Sequence, residues 1–402
     1  MDTLVSEKSS PLTEIDYLSR IITHAVDQHF SVALWKLPNN PVRQLVLSRQ
    51  TQLLKKNETI EELKTGFIFS PFDPERESLY LEADFSFSFS QNELRPPETP
   101  SEITSAEWLK NVIRSSSTTR FKTKFHNQVK IDEQGEQKFY VNLVSRGIAE
   151  LEKGSMEKIV LSRTLSVLLP DDVDVVNVFE ELCDTYPDAM VSFISSPEAG
   201  TWMGATPEVL VGLEDNTIFK TVALAGTKTF QEDVNLKTVA WTQKEIEEQA
   251  LVERYIISCF KKIRLREYDE HGPKTIVAGN VLHLKSEFTV DMKATNFPQL
   301  GSVMLQLLHP TSAVCGMPLE YALKFLKDHE GYDRQYYAGY LGPVNFNNQT
   351  SLFVNLRCMQ LQDDRALLYA GAGVTIDSDP KEEWIETEMK LNTLLKVIHH
   401  TQ

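Results

Sequence analysis

The chain has 402 residues, 41% hydrophobic and 24% charged, with 41 Lys plus Arg against 57 Asp plus Glu and a formal net charge of −16. That length can bury a large core in one domain or a few, while the negative field excludes nucleic acid and anionic membrane as partners and admits an anionic small substrate only where a metal or local cations reverse it. The four cysteines make no C-x-x-C pair, no apolar run reaches the ~18 residues of a membrane span, and the start MDTLVSEKSSPLTEIDYL has no apolar h-region, so a cytoplasmic protein with reduced thiols is expected.

Along the chain, a helix is expected around Thr13–His29. Residues 31–90 then alternate apolar and polar in SVALWKLP, QLVLS, GFIFSPF and SLYLEADFSFSFS, the pattern of strands. The polar, proline-rich segment 90–102 reads as a loop, and so does 115–137. FYVNLVSRGIAELEKG is an amphipathic helix stopped at Gly154. KIVLSRTLSVLL is a strand, Val173–Tyr186 a helix, and MVSFISS, TWMGATPEVLVGLED and TIFKTVALAG are three more strands. Thr238–Arg264 is a long helix, TIVAGNVLHLKSEFTVDMK gives strands, and QLGSVMLQLLHP and MPLEYALKFLKDHE give helices. QYYAGYLGPVNF, SLFVNLRCMQLQ and RALLYAGAGVTI are late strands, and Trp384–His399 closes the chain as a helix. Strands come in runs rather than in strict βα alternation, which predicts an α+β fold with largely antiparallel sheets.

Two of these helices carry carboxylates at one spacing. Glu245 and Glu248 stand three apart, as do Glu383 and Glu386, so each pair shares a helix face. Facing helices of this kind can hold a hard cation such as Mg²⁺, although such pairs are also common on solvated faces. Apolar neighbours (Ile246, Val252, Ile256 and Phe260; Trp384, Leu391 and Leu394) would pin both helices to a core. Lys390, four residues after Glu386, serves either as a surface ion pair or as a cation for a substrate carboxylate.

Other signals are equally two-sided. Ala370-Gly371-Ala372-Gly373 and Ala225-Gly226-Thr227 follow apolar strands, and read as tight turns or as backbone that approaches an anion. Alternation puts Arg357 in line with Phe353 and Asn355 on an apolar strand. A buried Arg there needs an anion, from the protein or from a substrate. Lys158 opens a buried strand; it is a solvated strand end or a base with a depressed pKa. Glu208, in GATPEVLVG, is a turn carboxylate or an acid with a raised pKa.

Ten ordered segments give these signals a common origin: KIVLSR (158–163), GATPEVLV (204–211), LAGTK (224–228), KEIEEQALV (244–252), HLKSEF (283–288), LHPTSAVCGMP (308–318), YYAGYLG (336–342), FVNLRC (353–358), YAGAGV (369–374) and EEWIETEMKLNTLL (382–395). With them the chain resembles the chorismate-utilising enzymes from about Phe139 to Val397. The resemblance implies one chorismate-binding domain over 1–402, with a signature-bearing catalytic region at 139–398 and a variable N-terminal part, 1–130, of the same fold. It implies an α+β architecture with two large antiparallel β-sheets packed as a core sandwich, helices outside, and one cleft. Glu248 and Glu386 match direct Mg²⁺ ligands, and Glu245 and Glu383 match positions that act through metal-bound water. Gly226, Thr227, Arg357, Gly373 and Lys390 match positions that bind substrate carboxylates or lie beside them.

Within that family, Lys158 resembles the lysine that activates water in members making isochorismate or salicylate, where anthranilate-forming members have glutamine. Glu208 would then protonate the departing C4 hydroxyl. HPTSAVCGMP resembles the isochorismate-forming members, and Ala313 stands where salicylate-forming members tend to have threonine. The resemblance therefore implies Mg²⁺-dependent conversion of chorismate to isochorismate by a monomer without a glutaminase subunit, feeding menaquinone or siderophore synthesis. Salicylate formation and a non-catalytic chorismate-binding protein are the alternatives. Gln249 departs from the family's Glu-His at the first metal helix. His283 matches a site position and equally suits a core histidine bonded to backbone.

Overall fold

The computed structural model describes residues 13–56, 58–90, 93–95, 112, 122–127, 137–170, 173–229, 235–278 and 281–400. Strands are numbered along the chain. One sheet of ten contains β1 (Ser31–Lys36), β2 (Arg43–Ser48), β6 (Phe85–Ser90), β7 (Glu93–Arg95), β8 (Lys158–Leu168), β9 (Met190–Ser196), β10 (Gly200–Thr206), β15 (Gly316–Met317), β18 (Cys358–Gln362) and β19 (Arg365–Val374). They lie in the order β15, β8, β19, β18, β10, β9, β1, β2, β6, β7. The second sheet, of nine, contains β3 (Gln52–Leu54), β4 (Gly66–Ser70), β5 (Ser78–Glu82), β11 (Val209–Glu214), β12 (Ile218–Thr229), β13 (Asp269–Ala278), β14 (Val281–Asp291), β16 (Tyr340–Val344) and β17 (Gln349–Val354). Its order is β13, β14, β12, β11, β17, β16, β4, β5, β3. Neighbours in both sheets run antiparallel. The expected fold class, two large antiparallel sheets with helices outside, is the observed one.

The sheets face each other across an aromatic core. Trp35 and Trp202 of the first sheet meet Phe67 and Phe69 of the second at 5.2 and 6.1 Å between ring centroids. The first sheet also buries its outer face. Val32 and Leu34 pack outwards while Ala33 and Trp35 pack inwards. That outer face is covered by helices α1 (Glu14–Asp27), α3 (Val175–Thr185) and α7 (Pro380–His400). Helix α2 (Gln137–Leu151) packs on α7, while α4 (Gln243–Lys262) and α5 (Leu300–Leu308) cover the second sheet, and α6 is Leu319–His329. Local chemistry sets the helix starts. Thr13 and Asp16 form a capping box on α1, and Thr242 and Glu245 form one on α4.

Two segments expected as single strands are each broken. TWMGATPEVLVGLED leaves the first sheet at Thr206 and enters the second at Val209, with Pro207 and Glu208 between. SLFVNLRCMQLQ leaves the second sheet at Val354 and enters the first at Cys358. Pro207 has no N–H for a ladder, and Arg357 adopts φ +47, outside the strand region. The two crossings brace each other: the Ala205 N–H donates to the Arg357 carbonyl at 3.0 Å, and the Val354 N–H to the Glu208 carbonyl at 2.9 Å. Arg357 is thus not in a strand face with Phe353 and Asn355. The glycine segments lie within the strands expected for RALLYAGAGVTI and TIFKTVALAG, not in tight turns after them. Gly371 and Gly373 lie inside β19, and Gly226 lies inside β12 at an irregularity between Ala225 and Lys228, with φ +67. Ile246 is 48% exposed and does not pin α4 to the core.

Candidate active site

The paired crossings put Glu208 and Arg357 at one end of the sandwich. Lys158 at the start of β8, Gly373 near the end of β19, the β12 irregularity and His283 on β14 converge on the same point. Glu208, Gly226, Thr227, Glu248, His283, Ala313, Arg357, Gly373 and Lys390 line one cavity of about 80 Å³. Lys158 lies against it, 1% exposed, with Nζ donating to Glu248 Oε1 at 2.8 Å. Pro207, Tyr337, Leu356 and Tyr369 also line it, and sequence reading did not single them out. The YYAGYLG motif contained the signal for Tyr337, which stacks on Tyr369 at 5.2 Å.

Each carboxylate of the metal hypothesis has a partner in the protein itself. Glu248 pairs with Lys158. Glu386 accepts from Lys390 at 2.7 Å, and Glu383 accepts from Lys244 at 2.7 Å. Glu245 is spent on its capping box, accepting from the Thr242 N–H at 2.7 Å. Among the described residues no three His, Cys, Asp or Glu side chains are gathered as a metal cluster. The donor type still fits a hard cation, since all four groups offer carboxylate oxygens. Glu383 Oε2 is buried without a hydrogen-bond partner among the described residues. Burial, then the charge of Glu386, raises the Glu383 pKa, with Lys244 opposing. At Glu248 burial works upwards, but Lys158, Lys390 and Lys244 together hold its pKa below the usual carboxylate value.

Glu208 behaves differently. Burial lifts its pKa from 4.5 to about 7, although Lys158, Lys390 and Arg357 all pull it down. A carboxyl near neutrality can hold a proton and give it up. His283 both lines the cavity and bonds to backbone. Its Nδ1 lies 2.7 Å from the Gly226 carbonyl, which only accepts, so Nδ1 carries the hydrogen. Nε2 then accepts from Arg357 Nη2 at 3.2 Å. Burial and the Arg357 charge drop the His283 pKa to about 3, so the ring stays neutral and orients the guanidinium.

Behind the wall runs a buried ion pair. Arg334 donates to Glu330 Oε1 at 2.7 Å, to the Val314 carbonyl at 2.8 Å and to the Val160 carbonyl at 2.7 Å. Glu330 Oε1 accepts from the Ser162 N–H at 2.8 Å and its hydroxyl at 2.6 Å. Val160 and Val314 both line the cavity. Arg163 secures α7: Nε donates to the Thr387 hydroxyl at 2.7 Å, and the guanidinium lies 3.6 Å from the Trp384 ring centroid.

Gly373 supplies space rather than a turn. A Cβ there would stand 2.7 Å from Glu248 Oε1 and 2.9 Å from Lys158 Cε. Gly373→Ala therefore displaces the Lys158–Glu248 pair. Steady-state kinetics should show kcat/KM reduced by roughly 10²-fold, as an ångström-scale misplacement of reacting groups does. An unchanged value would show that the pair has room to move.

Comparisons with known proteins bear on the family and the fold. Residues 83–399 match the family described as chorismate binding enzyme. The isochorismate synthase EntC of Escherichia coli (strain K12) is 28% identical over 334 residues, covering 81% of this chain and 79% of that protein. Among solved structures, the menaquinone-specific isochorismate synthase MenF of Escherichia coli aligns with a TM-score of 0.74 at 20% identity, covering 97% of this chain and 92% of that one. Anthranilate synthase component I of Streptococcus pneumoniae aligns at 0.69 and 19% identity, covering 91% and 89%. At those identities the structural likeness establishes the fold, which proteins of differently named activities share. With the family match spanning most of its length, the chain belongs to the chorismate-binding enzymes.

Proposed function

We infer that the protein isomerises chorismate to isochorismate. The observation that carries this is one cavity holding a carboxyl with a pKa near 7, Glu208, and a buried lysine beside it, Lys158. Arg357 and Lys390 line the same cavity and suit the substrate's two carboxylates. EntC, similar over most of both chains, carries the name of this activity. Acting as the base, Lys158 takes a proton from water, whose oxygen bonds to C2 of the ring. Glu208 gives its proton to the C4 hydroxyl, which leaves as water while the ring double bonds shift. One water enters and one leaves, so the elemental composition is unchanged. No ammonia is consumed, and the reading calls for no glutaminase subunit.

Mg²⁺, when bound by Glu248 and Glu386 with Glu245 and Glu383 behind them, would supply positive charge for a ring carboxylate and for the glutamates that lysines neutralise here. The lysine pairing supports that place for a cation, since each ammonium marks a point that attracts positive charge. Chelation with EDTA should then abolish turnover, and added MgCl₂ should restore it. Turnover that persists through chelation would exclude the metal from the reaction.

The decisive assay is incubation with chorismate and MgCl₂, with products separated by chromatography. Isochorismate alone is expected. Salicylate with pyruvate, or an amine-bearing product in ammonia, would overturn the reading. Lys158→Ala should lose about 10²–10⁴-fold in kcat, and near-normal turnover would remove it as the base. The location belongs to this reading too. Cys183, Cys259, Cys315 and Cys358 are buried free thiols, which suits a reducing cytoplasm. No described helix is long and apolar enough to cross a membrane. A monomer feeding menaquinone or siderophore synthesis completes the proposal.

A further inference from the structure

A second cavity, of about 320 Å³, shares no lining residue with the catalytic one. It lies on the side of the second sheet turned away from the aromatic core, between β4 and helix α5. Its floor is apolar, with Leu54, Ile60, Ile68 and Leu305. Three hydroxyls are chained along one wall: Ser78 Oγ donates to Ser70 Oγ at 2.8 Å and lies 3.2 Å from the Tyr340 hydroxyl. In a chain of net charge −16, the lining carries Lys55, Lys56 and Arg76 against the single carboxylate Glu58. Among the described residues, Lys56 pairs with Glu75 at 2.6 Å, and Arg76 pairs with Asp333 at 2.7 Å and Asp73 at 4.0 Å, all of them exposed. Such pairs are weak and can yield to a ligand.

The cavity touches the catalytic one through a short piece of chain. His309 lines the second cavity, with Nε2 donating to the Pro71 carbonyl at 3.1 Å and its ring edge-on to Tyr340 at 4.9 Å. Ala313, four residues on, lines the catalytic cavity. Between them the Thr311 and Ser312 hydroxyls are buried without a hydrogen-bond partner among the described residues. Those two hydroxyls therefore do not tie the segment in place.

We propose that this second cavity is a non-catalytic binding site for a small ring-bearing carboxylate, and that its occupancy is transmitted to Ala313 through the segment His309–Ala313. The ring lies on the apolar floor, a ring hydroxyl meets Ser78 and Tyr340, and the carboxylate meets Lys55 and its neighbours. The volume is of the size that holds such a ligand. The binding half stands on the cavity alone; the coupling half rests on the chorismate turnover proposed above.

Calorimetric titration of the full chain with benzoate and 4-hydroxybenzoate tests the binding half. Saturable binding in roughly the millimolar range is expected, tighter for the hydroxylated probe. Lys55→Glu should weaken it roughly fivefold. Gln306→Trp, which places an indole over the opening from an exposed position on α5, should abolish it. Arg357→Ala and Lys390→Ala, which alter the catalytic cavity, should leave it intact. Absence of binding to the unaltered protein overturns the site. So does binding that survives Lys55→Glu and Gln306→Trp but is lost in both catalytic-cavity variants. For the coupling half, 4-hydroxybenzoate should shift KM for chorismate in the unaltered enzyme and not in Gln306→Trp. A KM unmoved while calorimetry shows the cavity filled overturns the coupling and leaves the site standing. If the protein does not turn over chorismate at all, the calorimetric arm still decides the site.

Discussion

Glu208→Gln should lose about 10³-fold in kcat while the protein melts at the same or a higher temperature near pH 8. Both effects have one cause. Glu208 is buried, and burial lifts its pKa from 4.5 to about 7. The raised pKa makes the group a proton donor near neutrality, which glutamine cannot replace. It also makes the group a burden on the fold. The folded pKa lies above the unfolded one, so the folded state binds the extra proton between them. The associated stability is fully present below about pH 4.5 and lost as pH rises through about 7. A shift of that size corresponds to about 3 kcal/mol at most. Glutamine carries no charge and escapes the loss, so the variant gains stability relative to the parent on the alkaline side. In the parent, kcat/KM should fall as pH rises through about 7, because the donor loses its proton. A profile level to well above that pH would remove Glu208 from the donor role. Thermal melting of both proteins across the same range checks the linkage independently of activity.

Arg334→Met should be the most damaging single change to the fold. Arg334 and Glu330 are 3% and 2% exposed. Burial works against the Arg334 charge, and Glu330 more than restores it. Removing the guanidinium leaves a buried carboxylate without its cation and the Val160 and Val314 carbonyls without their donor. Breaking such a pair costs about 3–5 kcal/mol, which should lower Tm by roughly 4–6 °C in a chain of this length. Glu330→Gln combined with Arg334→Met should recover part of that loss, because no unpaired charge remains. A double variant no more stable than the single would show that the lost hydrogen bonds, not the stranded charge, carry the cost. Val160 and Val314 line the catalytic cavity, so activity at low temperature should fall in the single variant as well.

Much of this molecule is local and was therefore readable. FSFSFS alternates because one face of β6 packs on helices, with Phe85, Phe87 and Phe89 buried and the serines half-exposed. The Thr13 capping box marks where α1 begins. The ordered motifs carried the family, and with it the residues now seen around one cavity. Two readings failed for a shared reason. The segments around Glu208 and Arg357 alternate as unbroken strands do, and alternation reports which side of a sheet a residue faces, not which sheet it is in. Strand β1 shows the same limit, since it is buried on both faces throughout its length.

The sequence by itself determined the fold class, the family and the carboxylate, lysine and arginine positions worth testing. Short-range periodicity and ordered motifs are written directly in the chain. Only the tertiary structure decided how those groups combine. Lys158 meets Glu248 across 90 residues, and Lys244 meets Glu383 across 139. Glu245 caps a helix, and His283 steadies Arg357 from the far side of a sheet crossing. Lifting Glu208 to neutrality while holding Glu248 below its ordinary range is likewise a matter of burial against charge. Those balances are set by distances through space, which the packing of two sheets fixes and the order of residues does not show.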